Sequence, residues 1–385
     1  MKPVSWQKSI QKLSSPSLHI VSFDVPFPPD YGGAIDVYYR IKALHDLGVK
    51  ITLHTYEYGR GEAPELEEVT EKVFYYTRKK HFFDSLSKLP FIVQSRRSKK
   101  LLERLLNDKS PILFEGLHTT FFLGDERLKD RIKLVRTHNV EHEYYGHLAD
   151  NSAGIDRRFF RGESKKLARY EPILKHADHI LPISSADLTH FTQYDENIQL
   201  LPPCFAEFEH QAQQDTIPYV LFHGNLSVSE NAKSVQWLAR NVFTQKGVRF
   251  IVAGKNPGEQ LVALQASHKF ELIANPSSEE MHELIANARV HALHTDQSTG
   301  VKLKLIQSLQ TSGHLVVNST MVAGTDLENY CSVVEAAKEW KSAIQNALRS
   351  ELKPGEFAKR IELFQEDLNT LKSCRVITTL IDPSI

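Results

Sequence analysis

Two consecutive glycines follow a proline-rich loop near the start of the chain. The stretch FDVPFPPDYGG, residues 23–33, runs from an apolar segment through three prolines to Gly32 and Gly33. Prolines cannot continue a helix and bias the residues before them toward extended geometry, so the loop stays stiff until the glycines. Glycines at a helix start let backbone N–H groups approach an anion, which the helix dipole also favours. We therefore predict a phosphate-binding turn, with a plain tight turn as the alternative.

A histidine follows a strand-like run in the middle of the first half. IKLVRTHNVEHEYY reads as a strand that ends in a polar turn, which puts His138 at the carboxyl edge of a sheet. A histidine there can donate to a substrate oxygen or orient a phosphate. Because the chain has 18 histidines, a capping or structural role for His138 is the alternative.

Two lysines mark a helix start in the second half. In GVKLKLIQ, Lys302 and Lys304 can meet phosphate as point charges, although one of them could simply face solvent. PYVLFHGNLSVSEN is another strand-to-turn passage, in which Gly224 and Asn225 open a crossover. Glycine amides and lysines together would stabilise charge that builds on a diphosphate. The sequence shows no Asp-x-Asp triplet and no His/Cys cluster with ligand spacing, so we predict no metal site.

These residues need a scaffold, and strand-like runs alternate with helix-like runs throughout the chain. This alternation is typical of parallel α/β architecture. We predict strands at LHIVSF, VKITLHTY, KVFYY, PILFEG, IKLVRTH, HILPIS and IQLLP in the first half, and at PYVLFHG, VRFIVAG, FELIA, RVHALHT, HLVVNS and CSVVE in the second.

The length of 385 residues exceeds a usual single core, so we expect two domains. Ligands of doubly wound sheets sit outside the carboxyl ends of the strands, which predicts a site in the cleft between the domains. The predicted divisions are an N-terminal extension over 1–17, a first domain over 18–201, a linker over 202–217, a second domain over 218–365, and a C-terminal segment over 366–385. This last segment could pack back onto the first domain.

Composition narrows the class of protein. Lys plus Arg and Asp plus Glu are both 47, so the net charge of zero argues against a general nucleic-acid binder. The three cysteines show no paired spacing, which favours a reducing compartment. No apolar run approaches the roughly 18 residues that span a bilayer, and the start MKPVSWQKSIQKLSSPS lacks a signal-peptide centre. We expect a cytoplasmic protein.

One segment is strongly basic. Residues 78–104 carry nine Lys or Arg against Asp84 and Glu103. Such a segment can make peripheral contact with a membrane at the inner face or with an anionic acceptor. The alternative is a solvated helix face that buries its apolar side chains, Phe82, Phe83, Ile92 and Val93.

Several passages occur in the order found in retaining GT-B glycosyltransferases of the family-four type. They are Gly32-Gly33, RTHNVEHEYY, HGNLSVSENAKSVQWL, VAGKNP and TGVKLKLIQSLQTSGHLVVNS. The chain resembles this family across both predicted domains. The resemblance implies two doubly wound Rossmann-like domains that face each other across a cleft and bind a nucleotide sugar there.

The resemblance also implies roles for single residues. His138 would touch the transferred sugar and help to stabilise the developing charge, with Asn139 and Glu141 on the acceptor side. The implied donor-binding residues are Gly32, Gly33, Gly224, Asn225, Thr299, Lys302, Lys304 and Gln307.

The chain departs from the family pattern at two places. Relatives have an Arg and a Lys near the turn at Gly224, whereas the first base here is Lys233. The family's pair of glutamates, which have seven residues between them, is replaced by Thr299 and Gln307. Glutamine can still bond ribose hydroxyls, but it brings no charge.

The resemblance therefore implies a retaining glycosyltransferase that needs no cofactor and no metal. It would move a sugar from a nucleotide sugar to a glycan or lipid-linked acceptor, in cell-surface polysaccharide or glycolipid synthesis. Two alternatives stay open. A non-catalytic relative that binds sugar or a partner explains the lost glutamates, and a sugar-nucleotide epimerase of the same fold would need clustered acids and histidines, for which THNVEHE is the only candidate.

Overall fold

The computed structural model describes residues 15–79, 87–207, 217–244, 247–268, 270–297 and 299–382. Within these ranges the chain forms two six-stranded sheets, and every pair of neighbouring strands is parallel. Most of the predicted N-terminal extension, residues 1–14, lies outside the described residues, as do Phe82 and Phe83 of the basic segment.

The first sheet is built from apolar runs, because a parallel sheet is covered on both faces. Its strands are β1 (Ser17–Ser22), β2 (Lys50–Glu57), β3 (Lys72–Thr77), β4 (Ile112–Glu115), β5 (Lys133–Thr137) and β6 (His179–Pro182). Their order in the sheet is β3-β2-β1-β4-β5-β6. Two separate clusters of buried apolar side chains pack around this sheet.

The second sheet repeats this topology. Its strands are β7 (Val220–His223), β8 (Phe250–Gly254), β9 (Glu271–Ala274), β10 (Val290–Leu293), β11 (His314–Val317) and β12 (Ser332–Val333). Their order is β12-β11-β10-β7-β8-β9, so each sheet changes direction between its own first and fourth strands. That place is where doubly wound sheets bind ligands. The predicted fold of two Rossmann-like domains is confirmed.

The described residues include fourteen α-helices and several 3-10 helices. The α-helices are α1 (Gly32–Asp46), α2 (Phe91–Gln94), α3 (Lys99–Leu105), α4 (Glu141–Asp150), α5 (Gly154–Tyr170), α6 (Ser185–Phe191), α7 (Ser229–Asn241), α8 (Glu259–His268), α9 (Ser278–Ala286), α10 (Leu303–Leu309), α11 (Ser319–Val322), α12 (Ala337–Leu348), α13 (Pro354–Glu366) and α14 (Thr370–Ile381). The 3-10 helices are Pro64–Glu68, Leu117–Phe122, Glu126–Leu128, Glu171–His176 and Glu328–Tyr330.

One predicted strand is wrong. IQLLP forms no strand, although Ile198 makes an isolated parallel bridge to Ile180. The segment runs beside β6 and donates from Leu201 N to Pro182 O at 2.9 Å. Pro202 and the residue after it, also proline, have no N–H group to continue such a ladder, so the pairing stops there.

Two segments pack against the first domain: part of the chain that connects the two sheets, and the C-terminal helix of the protein. Cys204, in the predicted linker, is fully buried, and its N–H donates to Asp36 of α1 at 2.6 Å. Helix α14 places Cys374, Ile377 and Ile381 in the same apolar cluster as α1. Pro203, Cys204 and Phe205 of the linker are therefore packed in the interior of the protein.

None of the helices in the described ranges is long and apolar enough to cross a membrane.

Candidate functional site

A cleft of about 740 Å³ opens where the strands of both sheets end. Its lining comes from the turns after β1, β4 and β5 on one side and after β7, β8, β9 and β10 on the other. All eleven site residues predicted from the sequence line it: Gly32, Gly33, His138, Asn139, Glu141, Gly224, Asn225, Thr299, Lys302, Lys304 and Gln307. The structure brings them together, and the roles assigned to them stay predictions.

The two domains touch across this cleft. Lys255, after β8, donates to Asp30 of the first domain at 2.8 Å, and Arg60 donates to the other oxygen of the same carboxylate at 2.7 Å. Gly300 approaches Asn139 so closely that a Cβ there would lie 2.3 Å from its Oδ1. Gly300 also has a φ of +70°, which side chains disfavour. A side chain at position 300 would therefore strain the backbone and displace Asn139.

The glycine pair forms the first turn of α1, after Tyr31 in extended geometry. The first N–H groups of a helix have no partner within it and point outward, here into the cleft. A Cβ on Gly33 would lie 2.8 Å from Cζ of Phe23, whereas one on Gly32 would meet only Leu303, at 3.8 Å. The ring of Phe23 in turn packs against His118 and His138.

We predict different effects for alanine at the two glycines. Gly33→Ala should weaken binding of the nucleotide predicted from the sequence by about tenfold or more, because the methyl group displaces Phe23 and with it the histidine rings. Gly32→Ala is the matched control and should change the affinity by less than about threefold, since its methyl group makes an ordinary contact. Calorimetric titration with UDP measures both. Equal affinities in the two variants would show that the position of Phe23 does not matter.

His138 lies between two buried carboxylates. Its Nε2 is 2.9 Å from Oε2 of Glu115, and its Nδ1 is 3.6 Å from Oδ2 of Asp36. The ring packs edge-on against Phe23, and the side chain is 11% exposed to the cleft. Since Glu115 engages Nε2, a contact between His138 and a substrate would involve Nδ1 or the edge of the ring.

Those carboxylates belong to a buried charge cluster. Arg40 donates through Nε to Glu115 at 2.9 Å and lies 2.6 Å from Asp36 through Nη2, while Arg136 reaches Asp36 at 3.2 Å. Burial opposes ionisation of both acids, but Arg40 and Arg136 outweigh it at Asp36, and Arg40 and the hydrogen bond from His138 outweigh it at Glu115. The pKa values of both acids therefore lie below their ordinary values. The cluster fixes the orientation of His138 from behind the cleft.

Glu141, the first residue of α4, is buried on the acceptor side predicted from the sequence. It is 2% exposed, and its Oε1 has no hydrogen-bond partner in the described part of the chain. Nδ1 of His118 lies 3.8 Å from this oxygen and also lacks a hydrogen-bond partner among the described residues. Burial raises the pKa of Glu141 to about 8, so this carboxyl holds a proton at neutral pH.

We predict that Glu141→Gln gains stability over the parent as the pH rises. The folded protein keeps a proton on Glu141 up to about pH 8, whereas the unfolded chain loses it near pH 4.5. The free energy of unfolding of the parent therefore falls through this window. Between pH 5 and pH 8 the advantage of the variant should grow by up to about 4 kcal/mol.

Urea unfolding at both pH values measures this advantage. Glu143→Gln is the control, because Glu143 is exposed on the same helix. A constant difference between Glu141→Gln and the parent would show that Glu141 is ionised in the folded protein.

Lys302 and Lys304 enter the cleft from the start of α10. Lys302 donates to Gly300 O at 2.9 Å, and Lys304 donates to Asn231 Oδ1 at 2.5 Å and lies over the ring of Phe222. Burial lowers the pKa of Lys302 to about 8. Burial, with a smaller effect of Lys302, lowers the pKa of Lys304 to about 7. An incoming anion would raise both pKa values and so favour the charged form of both lysines.

The other predicted donor residues line the same side of the cleft. The side-chain oxygen of Asn225, Oδ1, accepts a hydrogen bond from Ser227 N at 3.0 Å and so closes the turn after Gly224. Gln307 lies on α10 and faces the cleft, and Thr299 comes just before the lysines. No carboxylate stands at position 299 or 307, as the sequence shows.

Sequence reasoning missed the residues that hold the site from behind. Glu115 ends β4, so the strand-end argument that selected His138 could also have selected it. Asp36 and Arg40 gave no signal, because they lie within an apolar helical pattern. Asp30 lies in FDVPFPPDYGG and Lys255 in VAGKNP, but only the fold brings these two residues together.

The described part of the basic segment 78–104 uses some of its bases inside the protein, while Lys79, Lys88, Lys99 and Lys100 are exposed. Arg96 is 4% exposed and donates to Phe23 O at 2.9 Å. The guanidinium of Arg104 lies 3.9 Å from the centre of the Phe74 ring. Ile92 and Val93 are buried, as the alternative interpretation predicted.

Comparisons with known proteins agree with the architecture. No protein-family model matches the chain. An uncharacterized 44.6 kDa protein in the cps region of Klebsiella pneumoniae is 27% identical over 331 residues, which cover 80% of this chain and 84% of that protein.

Solved glycosyltransferases share the fold. A mutant of S. aureus TarM, in complex with Fondaparinux, alpha-GlcNAc-glycerol and UDP, superimposes with a TM-score of 0.68 at 11% identity, covering 95% of this chain and 100% of that one. WaaG, a glycosyltransferase involved in lipopolysaccharide biosynthesis, gives 0.67 at 12% identity over 95% and 99%. Anabaena HepE in complex with UDP-glucose gives 0.57 at 12% identity over 95% of each chain. The chain has the GT-B fold of glycosyltransferases, as predicted.

Proposed function

We propose that the protein is a retaining glycosyltransferase that takes its sugar from a nucleotide sugar. The observation that carries the proposal is the placement of Lys302 and Lys304 opposite the first turn of α1, in one cleft with His138. Anion-binding groups from both domains thus converge where doubly wound folds bind nucleotides. UDP in the TarM complex and UDP-glucose in the HepE complex support this class of donor.

In this proposal the diphosphate lies between the helix start at Gly32 and Gly33 and the two lysines. Gln307 is assigned to the ribose, and the nucleoside lies toward the end of the cleft near Ser277, where α9 begins. That end is lined by Pro276, Ser277, Ser278, Met281, His282 and Ile285, all from the second domain. Small hydroxyls beside apolar side chains suit a planar base with few polar edges.

The transfer step needs stabilisation of the charge on the leaving diphosphate. The acceptor oxygen bonds to the anomeric carbon, the bond from that carbon to the phosphate oxygen breaks, and the acceptor proton passes to the diphosphate. Lys302, Lys304 and the amides of α1 stabilise the leaving group, and His138 faces the transferred sugar. The proposal requires neither a metal nor a cofactor.

The acceptor is proposed to be a glycan or a lipid-linked sugar, used in the cytoplasm for cell-surface polysaccharide or glycolipid synthesis. The cps-region relative and the lipopolysaccharide glycosyltransferase WaaG support this assignment. Asn139 and the protonated Glu141 would meet the acceptor on the first-domain side of the cleft.

Incubation with a panel of nucleotide sugars tests the proposal against both alternatives. Slow hydrolysis of one donor, with retained configuration, is the expected result. An isomerised donor would instead identify an epimerase that uses the carboxyl and histidine groups of Glu141 and His118. Binding without any turnover would favour a non-catalytic relative. It would indicate that the replacement of the family's two glutamates by Thr299 and Gln307 abolishes catalysis.

A lipid-linked acceptor requires contact with a membrane, and α5 offers an exposed apolar and basic surface for it in addition to residues 78–104. Ile155 is 84% exposed and Phe159 38% exposed at the start of this helix. Its exposed bases are Arg157, Arg158, Arg161, Lys165 and Arg169. Exposed apolar groups beside bases suit an anionic bilayer surface.

We predict that the protein sediments with vesicles of phosphatidylcholine and phosphatidylglycerol but not with phosphatidylcholine alone. Arg158→Glu with Lys165→Glu should weaken this binding at least about tenfold, because each base near an anionic surface contributes about 1 kcal/mol. Arg240→Glu with Lys338→Glu makes the same charge change on exposed positions of the second domain and should bind normally. Equal losses in both double variants would place the contact elsewhere.

A further inference from the structure

Three side chains that can bind a metal meet beside α4, outside the cleft. His142 lies on α4, Glu171 begins the 3-10 helix Glu171–His176, and His190 lies on α6. Nδ1 of His142 is 3.2 Å from Oε2 of Glu171, and Nε2 of His190 is 2.7 Å from Oε1. One such atom from each residue forms a group whose members all lie within 4.8 Å of one another.

These separations are close to those around a bound zinc ion. Zinc holds imidazole nitrogens at about 2.0–2.1 Å and carboxylate oxygens at about 2.0–2.2 Å, which puts neighbouring ligands of a tetrahedral ion about 3.3–3.4 Å apart. The observed separations of 3.2 and 2.7 Å, which involve the two different oxygens of Glu171, need adjustments of less than about 1 Å to reach that value. The widest separation within the group is at most 4.8 Å and needs an adjustment of up to about 1.5 Å, which side-chain rotation can supply. The three side chains thus lie close enough together to coordinate one ion after small rotations.

The carboxylate is held in place and the histidines are accessible. Glu171 has a side chain 1% exposed, and the hydroxyl of Tyr194 donates to its Oε1 at 2.9 Å. The side chains of His142 and His190 are 25% and 22% exposed. A buried, oriented carboxylate between two partly exposed imidazoles gives an ion both a fixed ligand and a path of entry.

We propose that His142, Glu171 and His190 bind a divalent transition-metal ion of the kind that zinc represents. Two imidazoles and one carboxylate suit zinc, nickel or cobalt, whereas magnesium and calcium prefer oxygen ligands. Water would complete the coordination. The sequence gave no ligand-spacing signal, because the ligands are separated by 29 and 19 residues and converge only in the fold.

The ion would tie α4 to α6 and to the 3-10 helix between them. Helix α4 begins with Glu141, which lines the cleft, directly before His142. A metal at this place would therefore anchor one wall of the cleft without touching the donor. The proposal goes beyond glycosyl transfer and does not depend on it.

Calorimetric titration of the chelator-treated full-length protein with zinc chloride tests the proposal. The expected result is one zinc ion bound per chain and a raised melting temperature. Bound cobalt should give the visible absorption of a tetrahedral site. If the three side chains only hydrogen-bond to one another and bind no metal, this absorption will not appear. His142→Ala and His190→Ala should each lower zinc affinity at least about tenfold and remove the cobalt band.

His45→Ala removes an exposed histidine of α1 and should bind zinc as the parent does. His190→Asn serves as a second variant if alanine at that position impairs folding, because asparagine keeps a polar group against Glu171. The proposal is overturned if the parent binds no zinc, or if the same single ion binds the His142 and His190 variants with unchanged affinity.

Discussion

Lys304→Met should lower the turnover of a nucleotide-sugar donor by about 10²–10³-fold, which is the usual effect of removing one donor of a charge-stabilising group. The ammonium of Lys304 lies in the cleft beside Asn231 and over Phe222, and Lys302 lies two residues earlier, at the start of the same helix. Methionine has nearly the same length but cannot stabilise the charge on a leaving diphosphate. The loss should appear in turnover and in UDP affinity together.

The fold should survive this change, because the lysine is an unfavourable group in the free protein. Its pKa of about 7 in the folded chain lies below the ordinary value of 10.5, so the unfolded chain binds more protons between these values. The free energy of unfolding of the parent therefore rises with pH across this window. Lys304→Met should lack most of that rise and be at least as stable as the parent at pH 7.

The matched control is Lys338→Met, which removes an exposed ammonium of α12. It should leave turnover, UDP affinity and the pH dependence of stability unchanged. Binding of UDP by the parent near pH 8 should also take up protons, which calorimetry in buffers of different ionisation enthalpy detects. If Lys304→Met keeps full turnover while Lys302→Met loses it, the phosphate contact belongs to Lys302 alone.

The turns that line the cleft could be predicted because strand ends are visible in a sequence. Apolar runs followed by glycine or polar residues locate Gly32, His138 and Gly224 at carboxyl edges, and parallel topology then forces these edges together. Beyond the positions of the strand ends, only the order of the strands in each sheet was needed to place these turns in one cleft. This is why weak motifs at the right places led to a correct fold.

The groups behind the cleft could not be predicted in the same way. The ion pair of Arg40 with Glu115 joins a helix to a strand 75 residues further along the chain, and no local pattern marks such a partner. The basic face of α5 was also missed, since charge runs such as 78–104 are conspicuous in a sequence whether or not they are exposed. Arg96 of that run is in fact buried. Tertiary pairing and burial decide these cases.

The charge cluster behind His138 leads to the largest expected effect on stability. Glu115→Ala should lower the free energy of unfolding by about 3–5 kcal/mol, because it leaves the buried guanidinium of Arg40 with only Asp36 as a charged partner. The side chains of Arg40 and Glu115 are both fully buried, so water cannot replace the lost carboxylate. Urea unfolding at pH 7 measures the loss.

The double variant Arg40→Met, Glu115→Leu separates the energetic role of the pair from its role in the site. Replacing a buried ion pair by apolar side chains of similar size is often neutral or stabilising, so the double variant should regain most of the stability lost in Glu115→Ala. It should not regain donor turnover, because Nε2 of His138 still lacks the carboxylate that orients it at 2.9 Å. Recovery of both properties would mean that Glu115 supports the fold alone and that His138 needs no partner. Recovery of stability without turnover would show that the cluster is retained in order to hold the imidazole at the cleft.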